Sequence, residues 1–211
     1  MTSDDVRVEW LTVAGDPESW RSIGLTVIDD GLIPLIGTSI RVVADVDDGR
    51  GLVAWALSGE GLAGDPVSDV DGLRTDVVAA AGPVFCAHRL GASSLDHVVV
   101  TTPNLERTSH AIASATGCEL KRIRDLGTMR QGFHRIGRGG LIVELVERPD
   151  VPPGPASFWG LVLIVDDLDA ACAVIGADGV SLPKDAVQPG RRIATVRETV
   201  GLGLPVALMT A

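Results

Sequence analysis

The sequence has no tyrosine, and aromatic residues make up only 3% of it. A core of stacked rings is thereby excluded. The interior must come from Val, Leu, Ile and Ala, which the 45% hydrophobic content can supply. Cysteine is nearly as scarce. Cys86, Cys118 and Cys172 are odd in number, far apart and never paired as CxxC, which argues against a disulfide framework or a zinc knuckle. Cys118 and Cys172 fall in apolar helical patterns, where a free thiol acts as a small hydrophobe. A reducing, cytoplasmic setting is expected. No window approaches the ~18 continuous apolar residues of a membrane span. The opening MTSDDVRVEW has neither the basic start nor the apolar run of a signal peptide. No membrane partner is expected. The GxSxG elbow, HExxH, the phosphate-cradling loop and the dinucleotide fingerprint are also missing.

Positive charge is short as well. The formal net charge is −10, and residues 1–94 hold 15 acidic against 6 basic side chains, a net of −9. Such a surface repels phosphate backbones, so no nucleic-acid partner is expected. The acidity serves solubility or steers a cation, and we favour solubility. The length of 211 residues suits one compact domain or two small ones.

What is present is a repeat. LDHVVVTT (95–102) is a β-branched run that reads as a strand. Pro103-Asn104 breaks it, and LERTSHAIASATG follows with Leu105, Ile112 and Ala115 on one helical face and Gly117 as the stop. Three more strands are expected over 119–126, 130–136 and 141–147, with glycine-marked turns between them. The order is β-α-β-β-β. A Pro-rich linker (149–157) follows, and then the pattern returns in FWGLVLIV, DDLDAACAVIG, RRIATVRE and LPVALMT. Asn104, Gly127 and the strand LIVELV recur as Asp167, Gly190 and LPVALM, each at an offset of 63 residues. Residues 1–60 offer a degenerate third copy, in which Glu9 falls where His97 falls and Trp55 near Glu144. Residues 61–94 show weak periodicity and read as a connector. The modules are therefore 1–60, 95–150 and 155–211.

A first strand opening Leu-Asp-His-Val, a Pro-Asn-Leu-Glu helix start and a closing strand with a central Glu resemble the vicinal oxygen chelate (VOC) superfamily. This is the glyoxalase, bleomycin-resistance and extradiol dioxygenase group. The resemblance covers 95–211 well and 1–60 loosely. It implies an α+β fold in which tandem βαβββ modules form a curved, mostly antiparallel mixed sheet, a glyoxalase-like cup. It also implies a divalent metal held by one side chain from the first and one from the last strand of each module. Those positions are His97 and Glu144 in one module. In the other they are Gly160 and Ala207, which cannot coordinate. Half the site is absent, and two ligands leave weak affinity. No cofactor is certain. A metal is expected only if a third ligand completes the site, with Glu9 as the candidate.

Each candidate has a plain structural alternative. His97 is a metal or acid–base residue, or a strand histidine hydrogen-bonded to a neighbour. Glu144 sits between apolar neighbours in its strand; its alternative is a salt bridge to Arg130 or Arg135. His134 faces the cup or, as we favour, solvent. Arg130 belongs to a basic stretch that includes Arg122 and Arg124 and could bind an anion or simply be solvated. Gln188, Arg191 and Arg192 flank a Pro-Gly turn that suits an oxygen-rich ligand. Trp159 adjoins the vacated metal position and could stack on a planar ligand.

Three functions follow from the resemblance and these residues. The first is binding of a small oxygenated or aromatic molecule without a tight metal, similar to the bleomycin-resistance relatives. The second is a lyase, isomerase, epimerase or dioxygenase in which His97 and Glu144 are catalytic. The third is a degenerate scaffold that works through protein contacts. A third module left unpaired would expose a sheet edge and favour a homodimer.

Overall fold

The computed structural model describes residues 5–44, 50–60, 62 and 69–211. Two mixed sheets share one hydrophobic core. The C-terminal half holds two βαβββ modules. The first runs β7 (Ala92–Thr102), α2 (Leu105–Thr116), β8 (Arg122–Asp125), β9 (Arg130–Arg135) and β10 (Ile142–Glu147). The second runs β11 (Ser157–Val165), α3 (Leu168–Ile175), β12 (Lys184–Asp185), β13 (Arg192–Thr195) and β14 (Val206–Met209). They form an eight-stranded sheet in the order β12-β13-β14-β11-β7-β10-β9-β8.

The two helices begin by one device. Asn104 caps α2 by accepting from the Arg107 N–H, and Asp167 caps α3 by accepting from the Ala170 N–H. Leu105 and Ile112, or Leu168 and Ala171, then point into the core. Gly117, at φ 69, ends α2 in the left-handed region that favours glycine. The first and last strands of each module pair in parallel, and the modules join through antiparallel β7 and β11. Glu144 lies opposite Val99, and Ala207 lies opposite Val162. The 63-residue repeat in the sequence is thus a register in the sheet.

The N-terminal half follows the same plan in shortened form. It comprises β1 (Arg7–Ala14), α1 (Pro17–Ser22), β2 (Leu32–Ile33), β3 (Ser39–Val43), β4 (Gly51–Ser58), β5 (Asp69–Val70) and β6 (Leu73–Val77). β1 pairs with β3 in parallel and with β4 antiparallel, and β4 pairs with β6 in parallel. Strand β1 therefore relates to β4 as β7 relates to β11. This corrects three sequence readings. Trp55 is not the counterpart of Glu144, because β4 opens the second short half and the closing strand of the first half is β3. The connector at 61–94 supplies β5 and β6 and the start of β7. The argument for a homodimer from an unpaired module also falls, since β1 and β4 join two short halves within one chain.

The sheets meet through β4 and β11. The Trp55 and Phe158 rings pack edge to face, with centroids 5.9 Å apart. The Ala156 N–H donates to the Asp71 carbonyl at 2.7 Å, and the Ile36 N–H to the Ser93 carbonyl at 2.9 Å. Among the described residues, no helix is long and apolar enough to cross a membrane.

Candidate functional site

Strand alternation divides the residues of the eight-stranded sheet. Val98, Val100, Val143 and Leu145 face the core and are fully buried. Their neighbours His97, Val99 and Glu144 therefore face the concave side. Across the sheet this face carries Arg122 and Arg124 on β8, opposite Phe133 and Gln131 on β9. On the other side of His97 and Glu144 come Val162, Ala207, Met209 and Ile193, which form a small apolar cluster of their own with Ile164 and Ala186. Two cavities, of about 330 and 980 Å³, lie on this face. Both are lined by His97, Met129, Gln131, Glu144, Val162 and Ile193, so they are lobes of one cleft.

The floor of the cleft is a chain of polar side chains. Arg191 Nη1 donates to Asp96 Oδ1 at 2.8 Å, and Asp96 Oδ2 meets His97 Nδ1 at 2.7 Å. His97 Nε2 lies 3.2 Å from Glu144 Oε2, and Gln131 Nε2 donates to Glu144 Oε1 at 2.6 Å. The side chains of His97 and Glu144 are only 14% and 12% exposed. Burial pushes the Asp96 carboxyl up, but the hydrogen bonds from His97 and Arg191 outweigh it and hold Asp96 below its usual range. Burial pushes Glu144 above the usual carboxylate range, and His97 and Gln131 only partly offset this.

A carboxylate at Asp96 accepts from Nδ1 of His97, which turns Nε2 of the ring toward Glu144. Arg191 and Asp96 act behind the pair, fixing the ring and leaving Nε2 toward the cleft.

The other sequence candidates divide cleanly. Trp159 is half exposed and lines the smaller lobe, while Gln188 lines the larger one. Arg130 is drawn to the helix side by Glu106 and by Glu147, the latter at 2.9 Å, so it does not face the cleft. Arg192 is held outside by Asp169 at 2.7 Å. The salt-bridge alternative for Glu144 also fails, because Arg130 is so engaged and Arg135 donates to the Gly140 carbonyl. Glu9 belongs to the other sheet, accepts from the Ser58 hydroxyl and lines a separate cavity. Asp96 and Gln131 were missed. Asp96 stands inside the Leu-Asp-His-Val motif, and Gln131 needed the β9–β10 register, which the sequence does not state.

The surface position expected for His134 is corrected. It is 1% exposed, on the core side of β9, between the Cys118 carbonyl and the Ser109 hydroxyl at 2.9 and 3.0 Å. Burial pushes its pKa down, so the folded state favours neutral imidazole. The unfolded chain takes up this proton below about pH 6.5. Stability is therefore present above that value and lost as pH falls toward the depressed folded value. Denaturant midpoints at pH 7.5 and 5.5 should differ more in the native sequence than in His134→Gln.

The donor set does not fit the metal that the resemblance implies. His97 and Glu144 offer two ligands, while Gly160 and Ala207 offer none. A Cβ built on Gly160 would sit 2.5 Å from the Pro205 carbonyl oxygen, so backbone packing forbids any side chain there. Among the described residues, no group of three or more His, Cys, Asp or Glu side chains is placed to hold a metal.

No family profile and no curated protein matches the chain. Solved structures do. A substituted form of 4-hydroxymandelate synthase from Streptomyces coelicolor matches with a TM-score of 0.65 and 14% identity, covering 97% of this chain and 92% of that one. A xylose isomerase-like TIM barrel/4-hydroxyphenylpyruvate dioxygenase fusion protein matches at 0.63 and 12% identity, over 97% of this chain and 49% of that one. Methylmalonyl-CoA epimerase from Mycobacterium tuberculosis covers 57% of this chain with 89% of its own, at 17% identity and a TM-score of 0.47. The two matches that span 97% of this chain show its fold, βαβββ-like modules in two mixed sheets, consistent with the vicinal oxygen chelate fold.

Proposed function

We propose that this chain with the vicinal oxygen chelate fold binds a small oxygenated molecule with an aromatic or apolar body, in the cup of its eight-stranded sheet and without a dedicated metal. The observation that carries this reading is the split polarity of the cleft. One wall presents Arg122 and Arg124, the floor presents His97, Glu144 and Gln131, and the opposite wall is the cluster around Val162, Ile193 and Met209. Arg124 is close enough for its charge to act on Glu144. A ligand laid across the cleft would meet cations at one end, proton donors and acceptors at its middle and apolar surface at the other. Apolar side chains occupy the ground where the second half of a metal site would stand. An open cleft with a polar floor weighs against a scaffold that acts through protein contacts alone.

A second reading is metal-free acid–base chemistry on the bound molecule. The 3.2 Å approach of His97 Nε2 to Glu144 Oε2 favours it. A carboxylate with a raised pKa next to a braced imidazole can remove a proton beside a carbonyl and return it.

The binding reading is tested with 4-hydroxymandelate, which combines a ring, a carboxylate and a neighbouring hydroxyl. Titration should change Trp159 fluorescence saturably, and Trp159→Phe should remove the signal. Arg124→Met should weaken binding about tenfold, the scale of one lost charge-assisted contact. Failure of this compound and other oxygenated aromatic acids to bind would sink the reading, as would equal affinity in His97→Ala and Arg124→Met.

A further inference from the structure

The first sheet has a face turned away from the core, and the site described above does not use it. Leu11, Val13, Ile40 and Val42 turn into the shared core. By alternation, Trp10 on β1 and Ser39 and Arg41 on β3 lie on the opposite side. There they line a cavity of about 300 Å³ together with Arg7 and Glu9. The far wall is Leu35, Ile36 and the strap that carries Val84 and Phe85. The volume stands at the lower end of small-molecule sites.

The strap is pinned beside this cavity. The Thr26 N–H donates to His88 Nδ1 at 3.0 Å, which leaves Nε2 to donate to the Pro34 carbonyl at 2.7 Å. The Thr26 hydroxyl holds the Ala87 carbonyl at 2.7 Å. Just before this buckle, Phe85 stays 77% exposed at the cavity wall.

The charges in the cavity are unusual for their neighbourhood. Residues 1–94 carry a net charge of −9, yet two arginines line this one space. Among the described residues, neither Arg7 nor Arg41 forms an ion pair. Among the described residues, the one carboxylate on the wall is Glu9, engaged by the Ser58 hydroxyl. The Arg41 guanidinium lies 4.2 Å over the Trp10 ring. Its Nε is buried and has no hydrogen-bond partner among the described residues. A guanidinium held over an indole has less freedom left to lose, and its planar donors match a carboxylate.

We propose that this cavity is a second ligand site, separate from the cleft, for a small organic carboxylate. Arg41, braced on Trp10, anchors the anion, and Arg7 adds a second charge. Leu35, Val84 and Phe85 cover the apolar body. The site does not depend on the reading of the His97–Glu144 cleft.

The test uses the full chain labelled with 5-fluorotryptophan and followed by ¹⁹F NMR. The four tryptophans are separate reporters: Trp10 for this cavity, Trp159 for the cleft, and buried Trp20 and Trp55 as controls. Trp10→Phe assigns the resonance. Benzoate should shift Trp10 saturably. Benzyl alcohol, which has the ring without the charge, and inorganic phosphate, which has the charge without the ring, should not. Arg41→Met should weaken the response about tenfold, and Arg41→Lys should restore part of it. Arg7 is exposed, so Arg7→Ala should keep the fold and still weaken binding. A Trp10 signal that stays still under benzoate would overturn the proposal, as would one that moves equally with benzyl alcohol, with phosphate or in the arginine variants. Movement of Trp159 alone would place benzoate in the cleft, supporting that site and refuting this one.

Discussion

Glu144→Gln is expected to make the protein more stable and a poorer binder. Burial raises the folded-state pKa of Glu144 above its unfolded value. For a group shifted in that direction, the favourable contribution is complete below the unfolded pKa, about 4.3. It is lost as pH rises through the folded value. At pH 8 the native sequence therefore bears the cost of an ionised carboxylate in a poorly solvated place. Glutamine removes that charge and keeps the geometry. Its amide oxygen still accepts from Gln131, and its NH₂ can donate to His97 Nε2. Asp96 and Arg191 still hold the ring. A gain of about 1 kcal/mol is the ordinary scale for one site, and in a chain of this size it raises Tm by about 2–4 °C.

The gain should be largest near pH 8 and small near pH 3, below the unfolded value of about 4.3. Calorimetry at both pH values reads the difference. The same variant should bind 4-hydroxymandelate more weakly, because the floor of the cleft loses its carboxyl group. A loss of stability of similar size at both pH values would mean that Glu144 serves the fold as a pair partner. The expected pattern would place Glu144 among residues kept for function at the expense of stability.

Much of this site could be read from the sequence, and the failures have definite causes. The repeat of 63 was visible because caps, turns and closing strands carry local signals, and Asn104 and Asp167 do the same work at the two helix starts. His97 and Glu144 were visible because a polar residue amid Val and Leu in a strand is conspicuous. His134 and Arg130 were misplaced because strand alternation fixes which residues share a face and leaves open which face is the core. Arg192 was read as a cleft residue because its turn gave no hint of Asp169 on α3. The first sheet was read as one module because β5 and β6 are short and the parallel pairing of β4 with β6 joins residues far apart in sequence. Nothing local announces that β4 pairs antiparallel with β1 and opens a second half.

The register in the sheet also says how a metal site could be recovered. Of the two vacated positions, Gly160 is closed by the Pro205 carbonyl. Ala207 lines the smaller lobe together with His97 and Glu144. Ala207→Glu is therefore expected to supply a third ligand, and three protein ligands with an open position are enough for zinc. The native chain, loaded mildly with Zn²⁺ and dialysed, should retain metal well below one equivalent by elemental analysis. Ala207→Glu should retain about one equivalent, the occupancy of a three-ligand site. His97→Ala in that background should abolish retention. Gly160→His should instead destabilise the protein, because its Cβ has no room beside Pro205. Zinc bound at one equivalent by the native chain and lost in His97→Ala would show that two ligands and the cleft suffice, and the metal-free reading would be abandoned. No zinc in Ala207→Glu would mean that the apolar wall around Val162 and Met209 keeps a third ligand from meeting the metal, leaving the cleft to the ligand's apolar body.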